Sequence, residues 1–101
     1  MNIQELLKEK RQEIITIASK HGAFNIRIFG SVARGEETAT SDIDFLIDYD
    51  LNKISSWFPG GLLMDLQDLL GYKVDIVTEK GLSKFIKNKV LEEAKPLSMD
   101  N

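Results

Sequence analysis

Two aspartates one residue apart, Asp42 and Asp44, begin an apolar run in the segment SDIDFLID. Because alternate residues of a strand point to the same face, both carboxylates project together, while Ile43 and Phe45 point to the other side. Two like charges at this spacing repel each other, and a divalent cation between them removes that repulsion. Oxygen ligands without a nearby histidine or cysteine favour Mg²⁺ or Mn²⁺ over zinc. The pair therefore predicts a metal site.

A third carboxylate and a turn of small residues extend this prediction. Asp75 lies in a later strand pattern, on the face opposite its apolar neighbours, so pairing of the two strands would place three carboxylates together, enough to hold two metal ions. Gly30 and Ser31 follow another apolar run. Glycine lets the backbone approach a ligand, and N–H groups at a helix start favour anionic oxygens. Together these features fit a nucleoside triphosphate bound with metal.

Each of these features also has a purely structural explanation. A lone Asp-x-Asp is usually a solvated strand start, and a lone Gly-Ser is usually only a turn, so it is their combination that favours a site. Ser41 is better explained as a turn or cap residue than as a catalyst, and Asp48 and Asp50 as surface acids. His21, the only histidine, lies near a helix end that favours a cation, and we assign it no catalytic role.

Composition limits the classes of protein to consider. The 101 residues, of which 43% are apolar and 29% charged, are typical of one globular domain spanning residues 1–101. The absence of cysteine excludes disulfides and thiolate sites. Without a signal-peptide pattern or a long apolar run, we expect a cytoplasmic protein that does not enter a membrane. The net charge of −3 argues against direct nucleic-acid binding, but is compatible with nucleotides carried with metal.

Hydrophobic periodicity predicts the elements that position the candidate residues. Gly35 and Gly71 are expected to end helices, and Pro96 to lie beyond the last regular element. The expected order is helix 3–20, strand 24–29, short helix 31–35, strand 42–50, leucine-rich helix 62–70, strand 72–78 and helix 82–93.

Two regions carry further expectations. On the last helix, one apolar side is predicted, formed by Leu82, Phe85, Ile86 and Val90. In the loop before the leucine-rich helix, Trp57 and Phe58 are expected in the core, and a partner surface is the alternative.

The spacing of these residues resembles the signature of the DNA polymerase beta-type nucleotidyltransferase superfamily. The matching segments are Gly30-Ser31, Gly35, Ser41-Asp42-Ile43-Asp44 and Val74-Asp75-Ile76. Within the superfamily, the chain is most similar to minimal nucleotidyltransferases, the MntA-like antitoxins, over nearly its whole length. This resemblance implies an α+β fold in which a small mixed sheet carries helices on one face and the active site on the other.

The resemblance also implies roles for individual residues. Catalytic and metal-binding roles fall on Asp42, Asp44 and Asp75, and the triphosphate-binding turn is formed by Gly30 and Ser31. Arg34 is a candidate phosphate ligand, with a solvent-exposed helix position as the alternative. Many relatives carry a basic residue where this chain has Val32, so one phosphate contact is expected to be missing.

The implied reaction is attack of an acceptor hydroxyl on the α-phosphorus of ATP, with two Mg²⁺ ions (or Mn²⁺) and loss of pyrophosphate. The implied acceptor is a tyrosine of a HEPN-type ribonuclease toxin, which is silenced by adenylylation. Two alternatives stay open, an antitoxin that neutralises its toxin by binding alone and a small-molecule, aminoglycoside-type nucleotidyltransferase. The nucleotide preference and the oligomeric state, including a homo-oligomer, are left open by the sequence.

Overall fold

The computed structural model describes residues 2–97 and contains a sheet with strand order β3-β2-β1-β4. β1 pairs antiparallel with β2 and with β4, whereas β2 and β3 are parallel. The sheet is therefore mixed, and the expected α+β fold is confirmed. The strands are β1 (Ala23–Phe29), β2 (Ile43–Tyr49), β3 (Val74–Thr78) and β4 (Lys95–Pro96).

The helices follow the predicted order, with one division. The helix expected over residues 3–20 is interrupted at Lys10, whose N–H still donates to Leu6 O and whose carbonyl still accepts from the N–H of Ile14, each at 2.9 Å. The hydrogen bonding thus continues through the interruption. The helices are α1 (Ile3–Glu9), α2 (Arg11–Lys20), α3 (Gly30–Arg34), α4 (Gly60–Leu70) and α5 (Lys84–Glu93), and a 3₁₀ turn spans Glu79–Gly81.

The apolar core covers one face of the sheet. Alternation along β2 directs Ile43, Phe45 and Ile47 into it, and all three are at most 1% exposed. α4 connects the parallel strands β2 and β3 across this face, as such a pair requires, and it ends at Gly71 in the left-handed conformation that glycine adopts readily. The core side chains of α1, α2 and α4 are Ile3, Leu7, Ile14, Ala18, Leu62, Leu66 and Leu70.

The prediction that Leu82 belongs to the last helix is wrong, and most of the apolar side predicted for that helix is exposed. Of its four residues only Val90 is buried, while Phe85 is 89% exposed and Ile86 is 48% exposed. α5 begins at Lys84, so Leu82 lies before it. The reason is that α5 contacts α3 and lies outside the main core, so most of its apolar side has no facing surface in residues 2–97.

The prediction that Pro96 lies beyond regular structure is also wrong. Lys95 and Pro96 form β4, which pairs with Ile28 and Arg27 of β1. Proline is tolerated there because β4 is an edge strand, where a missing N–H costs little. This pairing joins positions far apart in sequence, so no local pattern indicates it.

The two aromatic residues in the loop before α4 differ in their burial. Phe58 packs against the core, and its ring centroid lies 5.4 Å from that of Tyr49. Trp57 is 64% exposed, so the expectation of a core position is wrong for this residue.

None of the helices in residues 2–97 combines the length and apolar character needed to cross a membrane.

Candidate active site

The parallel pairing of β2 and β3 brings two of the candidate carboxylates side by side. Asp44 and Asp75 are partners in the register of these strands, so their side chains leave the sheet on the same face, opposite the core residue Phe45. Asp42 lies two residues before Asp44, and its negative charge acts on it. The structure therefore pairs Asp44 with Asp75 on one face of the sheet, and Asp42 lies close enough for its charge to act on Asp44.

The surroundings of Asp44 destabilise its charged form. Burial, followed by the charges of Asp75 and Asp42, raises the pKa of Asp44 from 3.8 to about 6. Arg34 opposes this rise, and Glu93 adds to it. A carboxylate whose pKa is raised in this way is stabilised by any cation that binds it, since the cation offsets the repulsion of the neighbouring carboxylates.

This electrostatic situation fits a divalent metal bound together with its substrate. Among residues 2–97, no three acidic, histidine or cysteine side chains converge closely enough to form a complete metal site by themselves. Mg²⁺, however, is usually held by one or two carboxylates plus substrate phosphates and water rather than by an all-protein cage. The aspartates fit that mode of binding, and their assignment as metal ligands stays a prediction.

The turn at Gly30 lies directly against the acids. Its φ of +77° is in the left-handed region, and a Cβ atom at this position would overlap Oδ2 of Asp44. Only glycine combines this backbone angle with this close approach. The turn at Gly30 and the side chain of Asp44 are therefore in van der Waals contact.

α3 begins at this turn and presents different side chains to the site and to the core. Ser31 follows Gly30, and its hydroxyl makes no hydrogen bond to another part of the described chain, so it is available to a ligand. Val32 is 1% exposed and packs in the core. A basic residue at position 32 would have to leave this packing to reach a phosphate. Core packing therefore explains why a valine is found at this position.

Arg34 is placed at the site but is already engaged by two carboxylates. Its Nε donates to Oε1 of Glu36 at 2.8 Å, and its Nη1 lies 3.1 Å from both carboxylate oxygens of Glu93. The hydrogen bond to Glu36, followed by that to Glu93, raises the pKa of Arg34. The guanidinium is thus oriented by the protein before any ligand arrives.

Glu93 is the site residue that sequence reasoning misses. Its Oε1 accepts a hydrogen bond from the backbone N–H of Gly30 at 2.8 Å, across 63 positions of sequence. Burial raises its pKa, but the hydrogen bonds from Gly30 and Arg34 outweigh burial, and the net pKa is lowered. A glutamate at the end of an amphipathic helix carries no local signal for this role, because the role depends on how α5 docks.

The remaining candidates have structural roles. Nε2 of His21 lies 2.7 Å from Oδ2 of Asp65, which joins the end of α2 to α4 and involves none of the site residues. The hydroxyl of Ser41 accepts the N–H of Thr38 at 2.8 Å, which confirms its role in a turn.

The two acids further along the chain are not simply solvated. Asp48 pairs with Arg27 at 2.9 Å, and the same guanidinium lies 3.3 Å from Glu79. Asp50 accepts the N–H of Asn52 at 2.9 Å and so stabilises the turn after β2. Both acids belong to the fold rather than to the site.

Comparison with known proteins identifies the family of this chain. Residues 6–97 match the family model described as "Nucleotidyltransferase domain". The chain belongs to this nucleotidyltransferase family. One "Putative protein adenylyltransferase" of Methanocaldococcus jannaschii is 38% identical to it over 94 residues, which cover 93% of this chain and 96% of that relative.

Solved structures agree with this assignment. A structure described as a "putative minimal nucleotidyltransferase" matches this nucleotidyltransferase with a TM-score of 0.80 and 39% identity, over 91% of this chain and 93% of that one. The fold is also shared by a toxin-antitoxin crystallised with AMP-PNP, at a TM-score of 0.71 and 23% identity, over 89% of this chain and 73% of that one. The predicted superfamily and fold are confirmed.

Proposed function

We propose that this nucleotidyltransferase is a protein adenylyltransferase antitoxin, which transfers AMP from ATP to a tyrosine hydroxyl of a HEPN-type ribonuclease toxin. The observation that carries the proposal is the contact between the Gly30 turn and Asp44, with Asp75 beside it in the sheet. Such a contact places a phosphate-binding backbone within reach of a carboxylate group. The relative in Methanocaldococcus jannaschii, named as an adenylyltransferase, and the toxin-antitoxin with AMP-PNP support the same activity.

Each site residue has its own role in the proposed reaction. Asp42 and Asp44 would hold Mg²⁺ with the triphosphate, and Asp75 would hold the ion that serves the acceptor. When bound, Mg²⁺ stabilises the charge that develops on the phosphate oxygens and lowers the pKa of the acceptor hydroxyl. The free hydroxyl of Ser31 donates to a phosphate oxygen.

The bonds that change are the same for any hydroxyl acceptor. The acceptor oxygen bonds to the α-phosphorus, the bond from the α-phosphorus to the bridging oxygen breaks, and pyrophosphate leaves with that oxygen. The acceptor proton passes to the carboxylate of Asp75 or to water. The product is an adenylylated side chain joined through a phosphodiester.

We assign the acceptor to a separate protein because the described elements form the catalytic fold itself. The elements in residues 2–97 all belong to the sheet, to the helices packed on it or to α5 beside the site. None of them forms an acceptor-binding lobe. This arrangement favours a separate macromolecule as the source of the hydroxyl.

The test is the intact mass of a co-expressed HEPN-type toxin after incubation with this protein, Mg²⁺ and ATP. We expect a gain of one or more AMP units. The Asp42→Asn/Asp44→Asn double variant should lose the activity by at least about a thousandfold, because it removes several kcal/mol of transition-state stabilisation. Asp50→Asn is the matched control, since an asparagine still accepts the N–H of Asn52 in the turn.

A mass gain that survives in the double variant would reject the proposal. One observation favours a second candidate, an antitoxin that acts by binding alone, namely the exposed apolar side of α5 with Phe85 at 89% exposure. This candidate predicts that wild type and double variant bind the toxin equally well and protect equally well, with no mass gain in either.

A further inference from the structure

The carboxylate of Glu93 is built into the turn at the start of α3. It accepts the N–H of Gly30 at 2.8 Å and lies 3.1 Å from Nη1 of Arg34. The side chain is only 17% exposed, in contrast to the 66% of Glu36, the other partner of Arg34. Glu93 is also the last residue of α5, so this contact fastens that helix to α3. The hydrogen bond with Gly30 is therefore partly buried, whereas the ion pair with Arg34 lies at the surface.

This contact determines the orientation of two groups at once. The N–H of Gly30 is one of the free donors at the start of a helix, and Glu93 satisfies it while the residue holds its left-handed φ of +77°. Arg34 is held at Nε by Glu36 and at Nη1 by Glu93, which leaves Nη2 without a hydrogen bond to the described residues. The free edge of the guanidinium is thereby directed away from both glutamates.

An anionic ligand of this turn could either displace Glu93 or bind beside it. Displacement would leave a half-buried carboxylate without its two donors, close to Asp44, whose pKa its charge already raises. Leaving a charged group without its hydrogen-bond donors is unfavourable, so binding beside Glu93 is favoured. The N–H and hydroxyl of Ser31 and Nη2 of Arg34 are then the donors that meet the ligand.

We propose that Glu93 is a positioning residue, which holds the Gly30 backbone and the Arg34 guanidinium in the orientation that receives the outer phosphates of a nucleoside triphosphate. The inference rests on the proposed function in that it takes a triphosphate as the substrate. It adds a residue from α5 to a site otherwise built from β2, β3 and α3.

The experiment compares Glu93→Ala and Glu93→Gln with wild type. Glu92→Ala is the matched control, because Glu92 is the exposed neighbour of Glu93 on the same helix. The first measurement is the Kd for AMP-PNP with Mg²⁺, by calorimetry on the isolated protein, at a temperature where circular dichroism shows every variant to be folded.

We expect Glu93→Ala to weaken binding about tenfold, the equivalent of one hydrogen bond to a charged group. Glu93→Gln should recover part of this loss, because its amide oxygen still accepts the N–H of Gly30 while its charge is gone. Glu92→Ala should bind as wild type does. In the transfer reaction, Glu93→Ala should raise KM for ATP and leave kcat nearly unchanged, as expected when uniform binding is lost.

A merely structural role would lower the folded fraction, and so kcat, without raising KM. Unchanged Kd and KM in folded Glu93→Ala would overturn the proposal. Tighter binding by Glu93→Ala would overturn it as well, since it would show that the carboxylate occupies the phosphate position. If wild type binds AMP-PNP but does not modify the toxin, the proposed function fails, and the Kd values still decide the role of Glu93.

Discussion

Helices α4 and α5 both carry apolar side chains at helical spacing, but α4 buries three of them and α5 buries one. α4 lies over the apolar face of the sheet, where Leu62, Leu66 and Leu70 are at most 5% exposed. α5 buries Val90 and leaves Phe85 in solvent, while its last residue reaches the polar turn at the site. An apolar stripe shows that a helix has one preferred side for burial, whereas the surface available to cover it is decided elsewhere in the chain.

The largest effect should come from shortening a core side chain of α4. Leu66→Ala is expected to lower the free energy of unfolding by about 3 kcal/mol, because it removes buried methyl groups and leaves a cavity. Leu91→Ala in α5 is the matched control, at 36% exposure in place of 1%, and should cost less than about 1 kcal/mol. Urea unfolding measures both, and similar losses would contradict the different burial of the two helices.

A smaller effect of opposite sign should come from removing the charge of Asp44. At pH 7 in EDTA, Asp44→Asn is expected to increase the free energy of unfolding by about 1–2 kcal/mol. The folded pKa of about 6 exceeds the ordinary 3.8, so the folded state binds the proton more tightly. The resulting stabilisation is complete below about pH 4 and is lost as the pH rises through 6. The estimate discounts the full shift because solvent screens the carboxylate.

The pH dependence is the control for this prediction. At pH 4 the carboxyl is protonated, so Asp44→Asn should have little advantage over wild type. Asp50→Asn, in the turn after β2, should be nearly neutral at both pH values. An advantage for Asp44→Asn that is equal at pH 4 and pH 7 would mean that packing, rather than charge, accounts for it.

The smallest effect should come from the exposed end of α5. Phe85→Ser is expected to change the free energy of unfolding by no more than about 0.5 kcal/mol, since the ring is 89% exposed, with Nζ of Lys84 6.0 Å from its centroid. Thermal unfolding at two protein concentrations measures it. A loss above about 1 kcal/mol that depends on concentration would indicate that this side of α5 is covered by another chain.

The parts of the fold that sequence predicts are those set by local periodicity. Alternation in β2 separates Asp44 from Ile43 and Phe45, and the same rule places Asp75 on the site face of β3. The leucine spacing of α4 and the glycine after it predict the helix and its end correctly. The placement of Asp44 beside Asp75 could be predicted because the direction of each side chain follows from its own strand.

The parts that could not be predicted depend on contacts between distant segments. Glu93 reaches Gly30 only because α5 ends beside α3, and Pro96 becomes part of a strand only because β1 has a free edge there. Lys10 divides the first helix although its neighbours continue the helical pattern. In each case the deciding partner is far away in sequence or is the packing itself, and neither appears in a short window.

The close approach of Gly30 to Asp44 has a consequence for how this protein can vary. In a saturation library, alanine at position 30 would require the carboxylate of Asp44 to move or to be lost, because Oδ2 fills the space that a Cβ needs, whereas Cβ of Asp44 would lie at an ordinary 3.5 Å. Even then the left-handed backbone would cost about 1 kcal/mol. Sequencing the survivors of such a library, selected for folding alone, would therefore show the two positions changing together, and a screen for catalysis would return glycine every time.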